Sequence, residues 1–529
     1  MIDEIKSAIS LTQAGKFAEA EDIYLKLLKE NSDNGVLLSA VGLFYINLGN
    51  FDKACEYLKK SCDIKKSLGT LSALGFAEYD RENYFGAAEA LEQSLEYGEN
   101  QDIYDRLISS LFNIQKFSKA IEFAEIMYEK YPDSVRAITN KIKALTQSGK
   151  LLEAEKLCTE TLKKDMNIPA LWFQLGFLKE LIYSDDNSAK ECYKAAAQFG
   201  APNAEYNIAV CAQKLGDYAE AERNYKIMLE KFPNSMETKV SLGMCYLLQK
   251  RFKEGYELFY NRSYHLLLET SNNPWKPGDK IADEVVIICD QGYGDHIQFI
   301  RYLPFLKGKK VQIAVRKQLK NLFKLNYPQF EFIDYSDINP DIQAIRITDF
   351  AYALDMDFEH IPFSEGYLNI EKADIESQKP KIGLCWEAGS AAIRNMINRT
   401  MNVKCFERFF DTDEIQLYSL QYEDSMDGNS KYPQMINLAR DFKDFSDTAR
   451  AIKAMDSVIT VDTAVAHLSG ALGVKTYLLL PYAADWRWFD DTKTTPWYKS
   501  VEIFKQVEHI SWEKPLDDLY NEIRSQFTL

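Results

Sequence analysis

Three stretches in the second half of this 529-residue chain set groups able to move a proton or hold an anion at the ends of apolar runs. The first is Asp290-Gln291-Gly292-Tyr293-Gly294-Asp295-His296-Ile297-Gln298, directly after the run Val285 to Cys289. Its two glycines let the backbone turn sharply and stay open to a ligand, and Asp295 begins a helix at the positive end, where a carboxylate is stabilised. Such a carboxylate is either a plain cap, the commoner role for an Asp there, or a general base. The second is Val458-Ile459-Thr460-Val461-Asp462-Thr463-Ala464-Val465-Ala466-His467, a strand that hands over to a helix at Asp462. Amide N–H groups and the dipole at that helix start suit a diphosphate, and small residues allow close approach. A lone helical histidine is more often a satisfied core residue than a functional one, yet His467 is one of five histidines and stands where such a fold binds ligands. The third is Trp386-Glu387-Ala388-Gly389-Ser390 with Arg394 and Arg399 just beyond. A Gly-Ser turn beside guanidinium groups suits phosphate oxygens, because Arg donates in parallel pairs and keeps its charge. A surface loop explains that stretch equally well.

These motifs need strands to end beside them. Candidate strands are Val285 to Cys289, Val311 to Val315, Glu331 to Ile333, Ile382 to Trp386, Gln416 to Leu420, Ser457 to Val461 and Thr476 to Leu480. Several are continuous apolar runs, as parallel strands covered on both faces should be. Amphipathic stretches lie between them at Asp295 to Leu306, Asp447 to Met455 and Thr463 to Leu472, and Trp512 to Phe527 reads as a last helix. Alternating strand and helix predicts doubly wound α/β units that bind ligands beyond the carboxyl ends of the strands.

The first half has another rhythm. A small residue recurs eight times, at Ala20, Ala54, Ala87, Ala120, Ala154, Ala189, Ala221 and Gly255, in steps of 34, 33, 33, 34, 35, 32 and 34, with an aromatic or Leu three residues before it in every unit but that of Ala189. Several units carry a further glycine in the preceding helix, at Gly42, Gly75, Gly176 and Gly243, where two helices approach closely only if a side chain is missing. Stacked helix pairs of this kind form a long groove able to hold an extended peptide. The turn-rich run Asn272-Asn273-Pro274-Trp275-Lys276-Pro277-Gly278 marks the change of period.

Composition removes other classes. Sixty-three Lys and Arg against 79 Asp and Glu leave a net charge of −16, which disfavours a nucleic-acid partner, since phosphate backbones call for clustered positive charge. No stretch of 18 residues is apolar and uncharged, and Met1-Ile2-Asp3-Glu4 lacks the basic flank of a secretory signal, so a cytoplasmic protein without membrane insertion is expected. The nine cysteines contain no CxxC pair and read as free buried thiols, and the five histidines are too scattered for a zinc site. Asp355-Met356-Asp357 has the form of a DxD metal motif but reads as a loop, so neither metal nor cofactor is expected.

The eightfold pattern resembles the tetratricopeptide repeat family over about residues 1–265. The C-terminal motifs, together with Ile382-Gly-Leu-Cys-Trp386, Asp444-Phe-Ser-Asp-Thr448 and Leu480-Pro-Tyr-Ala-Ala-Asp-Trp-Arg-Trp488, resemble the ADP-heptose-type glycosyltransferases of family nine, in the branch with an N-terminal repeat array. The layout is also similar to that of protein O-GlcNAc transferase. The resemblance implies an α-solenoid (1–265), a linker (266–282) and a GT-B unit with an acceptor-side half (283–378) and a nucleotide-sugar half (379–529), both Rossmann-like. It implies metal-independent inversion at the anomeric carbon, with Asp295 as catalytic base in an acceptor-side loop of Gln291, Gly292, Tyr293, Gly294 and Gln298. Gly389, Ser390, Arg399, Gln421, Asp462, Thr463, Ala464 and His467 are implied on the donor side. A Ser or Thr of a protein acceptor, such as flagellin or another surface protein, would lie in the repeat groove. A non-catalytic repeat scaffold and a heptosyltransferase with a carbohydrate acceptor are the alternatives. The sugar, the nucleotide and any homo-oligomer stay open.

Overall fold

The computed structural model describes residues 1–262, 270–388, 399–422, 432–489, 493–508 and 511–527. The chain divides into two compact units, Met1–Ala204 and Glu205–Leu529. The division falls well before the change of period near residue 270, so the helix pairs that follow Ala204 belong to the second unit.

The first unit is a solenoid of six helix pairs, from Ile2–Gln13 with Phe17–Glu30 to Pro169–Tyr183 with Asp186–Gln198. The small residue that opens each second helix is there because nothing larger fits: Ala20, Ala54, Ala87, Ala120, Ala154 and Ala189 are all wholly buried. The glycines act in the same way from the first helix. A Cβ at Gly42 would lie 2.5 Å from Leu58 Cγ, and one at Gly75 would lie 2.4 Å from Leu91 Cγ. Asn34, Asn50, Asn83 and Asn100 cap helix starts by accepting a backbone N–H, which pins where each helix begins.

The second unit opens with two more pairs, Ala204–Lys214 with Tyr218–Lys231 and Met236–Leu248 with Phe252–Phe259. Two sheets follow. In the first, β1 (Glu284–Ile288), β2 (Lys310–Ala314), β3 (Glu331–Ile333) and β4 (Gln343–Arg346) run parallel in the order β3-β2-β1-β4. The second contains β5 (Lys381–Cys385), β6 (Gln416–Ser419), β7 (Ile436–Asn437), β8 (Ser457–Val461), β9 (Thr476–Leu480), β10 (Thr494–Thr495) and β11 (Tyr498–Lys505). Its order is β10-β11-β9-β8-β5-β6-β7, parallel except for the β10–β11 pair. The seven expected strands are present within a residue or two, while β4, β7, β10 and β11 are additional.

Residues 266–282 do not behave as a free linker in their described part. Trp275 is buried, its N–H donates to the Ala344 carbonyl at 2.8 Å, and Ala344 N–H donates to the Asn273 carbonyl at 2.9 Å, so the segment runs along the edge of β4. The turn-forming residues describe the path; the buried tryptophan supplies the attachment. All nine cysteines are free, and eight of them are buried.

The last repeat helix is joined to the second sheet by aromatic packing. Phe252 stacks on Trp497 at 6.0 Å, and Tyr256 and Phe259 meet the Trp486 ring edge-on at 6.2 and 5.9 Å. Beyond this helix Arg262 is buried and donates to Asp349 at 2.6 Å and to Asp290 at 3.2 Å, which ties the end of the repeats to the carboxyl ends of β1 and β4.

That docking depends on Gly243, where a Cβ would lie 2.7 Å from the Phe259 amide nitrogen and 2.9 Å from the Gly255 carbonyl oxygen, both backbone atoms that cannot step aside cheaply. Gly243→Ala should cost about 1–3 kcal/mol and lower the thermal midpoint of the second unit. Gly69→Ala, in a helix and with open space around its Cβ, should be neutral or stabilise by up to about 1 kcal/mol.

Candidate functional site

The site starts where β1 ends. Its four inner residues are buried, and the chain leaves through Cys289, Asp290 and Gln291, the last in the left-handed region at φ 68°. Gly292 then caps the helix Tyr293–Phe299, which places Asp295 in the third helical position rather than the first. One carboxylate oxygen, Oδ2, accepts the Gly292 N–H at 3.0 Å, so the capping role is filled. The other, Oδ1, accepts from Nη2 of Arg487. Pro304 ends regular helix early, and Ile300–Leu306 continues as a 3₁₀ turn.

Arg487 belongs to the other sheet. It follows β9 in the turn Trp486–Trp488, which Asp485 caps by accepting the Arg487 N–H at 3.1 Å. Asp485 also accepts Nη1 of Arg487 at 2.7 Å, and the guanidinium lies 4.6 Å above the Trp486 ring. Next in the chain, Trp488 donates its indole N–H to Asp462 at 2.8 Å, and Arg399 reaches the other Asp462 oxygen at 3.4 Å. Asp462 is the last residue of the β8 exit before Thr463, whose side chain caps the helix Ala464–Ala471 by accepting the Val465 N–H at 3.2 Å.

The helices after β1 and β8 meet at one point. A Cβ on Gly294 would lie 2.7 Å from Cδ2 of His467, so only glycine lets the imidazole sit against that turn. His467 stacks on Trp488 at 4.8 Å, and its Nδ1 faces the Tyr498 hydroxyl at 3.0 Å. This His is a spacer between the two helices.

Burial sets the protonation of the cluster. It pushes the Asp295 carboxyl above its ordinary value, with Asp485 and Asp290 adding to the rise and Arg487 pulling against it. Asp462 is raised for the same first reason, helped by the charge on Asp485. Burial also works against ionised Asp485, but Arg487 outweighs it and holds that carboxyl below the usual range. Burial drives His467 down to about 3 and His296 to about 4, so both rings are neutral near pH 7. Arg487 loses hydration yet is held firmly charged by Asp295 and Asp485. Of the two carboxylates whose affinity for a proton burial raises, Asp462 shares a sheet with Arg487, whereas Asp295, which Arg487 binds, comes from the other one.

The remaining expected residues are distributed unevenly. Gln291 is exposed, and its carbonyl accepts from Arg316 at 2.8 Å. Tyr293 packs on Phe445 at 5.0 Å under the Arg316 guanidinium. Gln298 is fully buried, with neither amide atom hydrogen-bonded among the described residues. Gln421 is spent on backbone: its oxygen accepts the N–H groups of Trp386 and Glu387 at 3.2 and 2.9 Å, bracing the β5 and β6 exits. Thr463 and Ala464 are half-buried at the helix start. Gly389, Ser390 and Arg394 lie outside the described residues. Asp357 of the Asp-Met-Asp stretch accepts from the exposed ring of His360, at 2.7 Å. Asp485, Arg487 and Trp488 carry no role in the sequence-based set; the signal for them was a charged pair flanked by tryptophans directly beyond an apolar strand, where α/β sheets bind ligands.

The tetratricopeptide repeat family model matches residues 203–235. That stretch falls within the series of helix pairs that runs along the chain from Ile2 to Phe259. Protein FlbA of Caulobacter vibrioides is 23% identical over 448 residues, which cover 74% of this chain and 73% of that protein. A tetratricopeptide repeat protein from Parabacteroides merdae aligns over 46% of this chain and 97% of its own at 14% identity, with a TM-score of 0.41. YrrB, described as a tetratricopeptide repeat protein with an unusual peptide-binding site, aligns over 34% of this chain and 93% of its own at 16% identity, with a TM-score of 0.29. Among the described residues, no helix is long and apolar enough to cross a membrane.

The spacer role of His467 gives a pH test. Unfolded histidine binds a proton below about 6.5, whereas the folded ring does so only near 3, so the unfolded state holds more protons in between and acidification destabilises the fold. His467→Phe keeps the ring and removes the titration. Its stability relative to the parent should rise as pH falls below 6.5, by up to about 1.4 kcal/mol per pH unit, read from urea midpoints.

Proposed function

We propose that this chain is an inverting, metal-independent glycosyltransferase with a GT-B-like second unit, moving a sugar from a nucleotide sugar to a Ser or Thr of a protein that the repeats present. The observation that carries this reading is the meeting of Asp295, from the β1 exit, with Arg487, from the β9 exit, beside the helix start at Thr463. Glycosyl transfer asks for a base on the attacking hydroxyl and positive charge on the departing phosphate, and these two side chains have those chemistries.

In this reading Asp295 takes the proton of the acceptor hydroxyl, and its raised affinity for protons brings it nearer to working pH than a surface aspartate. The hydroxyl oxygen attacks the anomeric carbon, and the bond to the diphosphate breaks with its electron pair. Arg487 and Arg399 supply fixed positive charge, and Trp488 holds the Asp462 carboxylate so that Arg399 stays in place. The acceptor is a polypeptide, in keeping with the peptide- or protein-binding habit of tetratricopeptide repeats, and flagellin or another surface protein modified in the cytoplasm before export fits the layout.

A second reading, a repeat scaffold with an inactive sheet region, draws support from the same ion pair, since both oxygens of Asp295 are engaged. The two separate on one experiment. With a panel of nucleotide sugars and acceptor, the enzyme reading expects nucleotide release, and Asp295→Ala should slow it by about 10²- to 10⁴-fold without weakening donor binding. No release from any donor, with no donor-dependent rise in thermal midpoint, favours the scaffold.

A further inference from the structure

Arg487 has two anionic claimants. Its Nη1 and its backbone N–H both bind Asp485, two residues away in the same capped turn, while Nη2 binds Asp295 on the other sheet. The first attachment is local and fixed by the turn. The second joins segments 192 residues apart and is the one that can exchange. Trp486 lies beneath the guanidinium and is itself wedged against Tyr256 and Phe259, which keeps the guanidinium plane in place.

The helix start beside it has little spare capacity for a diphosphate. Val465 N–H is taken by the Thr463 hydroxyl at 3.2 Å, and Ala466 N–H by the Thr463 carbonyl at 3.1 Å. Neutralising a departing diphosphate therefore falls to guanidinium groups, and the two described ones are already shared among Asp295, Asp462 and Asp485. Asp290 and Arg316 lie on the β1 side of Asp295, and the ring of His467 is neutral.

We propose that Arg487 is a charge-following residue: it partners the Asp295 carboxylate until that carboxylate accepts the acceptor's proton, and it then partners the diphosphate, which gains negative charge in the same step. The proposal rests on the reading of Asp295 as base. The hydroxyl proton goes to Asp295, the hydroxyl oxygen bonds the anomeric carbon, and the carbon–phosphate oxygen bond breaks with its electron pair on the diphosphate. One negative charge leaves Asp295 and one appears on the leaving group, so a guanidinium within reach of both is better satisfied in the transition state than while it must divide itself between them. A residue that only braced the fold would gain nothing from this transfer.

The test measures binding of nucleoside diphosphates (a panel of ADP, GDP, UDP and CDP) to the full chain and to Asp295→Asn, Arg487→Gln, Arg487→Lys and the Asp295→Asn/Arg487→Gln pair. Asparagine stands in for protonated aspartate and frees the guanidinium, so Asp295→Asn should bind the preferred diphosphate severalfold more tightly, and Arg487→Gln about tenfold or more weakly. With Gln at 487, the Asn substitution should no longer tighten binding. Arg487→Lys should fall between, because a point charge cannot serve two partners at fixed angles. The acidic limb of kcat/KM should move to higher pH in Arg487→Gln, which lacks the charge that favours ionised Asp295. If the parent binds a diphosphate but Asp295→Asn leaves its affinity unchanged or weaker, the proposal is overturned, and that result stands even if Arg487→Gln fails to fold. If the parent binds none of the panel, the glycosyltransferase reading fails first and takes this proposal with it.

Discussion

An arginine and an aspartate from different sheets, each with most of its side chain out of solvent, form the contact on which the second unit's site depends. Only 13% of the Arg487 side chain and 15% of that of Asp295 remain exposed. Removing two charges from water is costly, and a pair at such depth persists only when further hydrogen bonds hold each partner in place. Here Gly292 N–H holds Asp295, and Asp485 with the face of Trp486 holds Arg487. Losing one partner of such a pair leaves an uncompensated charge at a cost of about 3–5 kcal/mol, which is why the exits of β1 and β9 cannot be altered independently.

The repeats enter this arrangement through tryptophan. Trp486 has the Arg487 guanidinium on its face and Tyr256 and Phe259 against its edges, so a single ring is shared between the last repeat helix and the charged site. Aromatic pairs of this sort contribute about 0.5–1.5 kcal/mol each beyond area burial. Arg262, continuing from the same helix, binds Asp290 in the loop that leads to Asp295. The last repeats thus pack as part of the sheet-bearing unit, and the division at Ala204 follows from that packing rather than from the sequence period.

Much of this was legible in the sequence where the physics is local. The eight small residues recur because each lies in a helix–helix contact with no room, and the 34-residue step records that directly. β1, β8 and β9 announced themselves as apolar runs because both faces are covered. β4 did not: Gln343–Arg346 is four residues long, and its outer edge is completed by Asn273 and Trp275 rather than by another strand. β11 hid behind Lys499, Ser500 and Glu502, polar residues interspersed among the buried Tyr498, Val501 and Ile503. Within the site, the capping half of Asp295 could be read from its neighbours, while its other half is answered by a residue far along the chain. Likewise, the reason for Gly294 is the ring of His467, and Gln298, chosen for its position beside the loop, has its amide buried.

The most direct measurement of the central contact is a double-mutant cycle on unfolding with Asp295→Asn, Arg487→Gln and the pair, followed by tryptophan fluorescence, since six of the seven tryptophans lie in the second unit. A buried, hydrogen-bonded ion pair predicts a coupling energy of at least about 1 kcal/mol between the two sites. Strict additivity, with each substitution costing the same whether or not the other is present, would mean that the two residues do not meet in solution and would contradict the shared site.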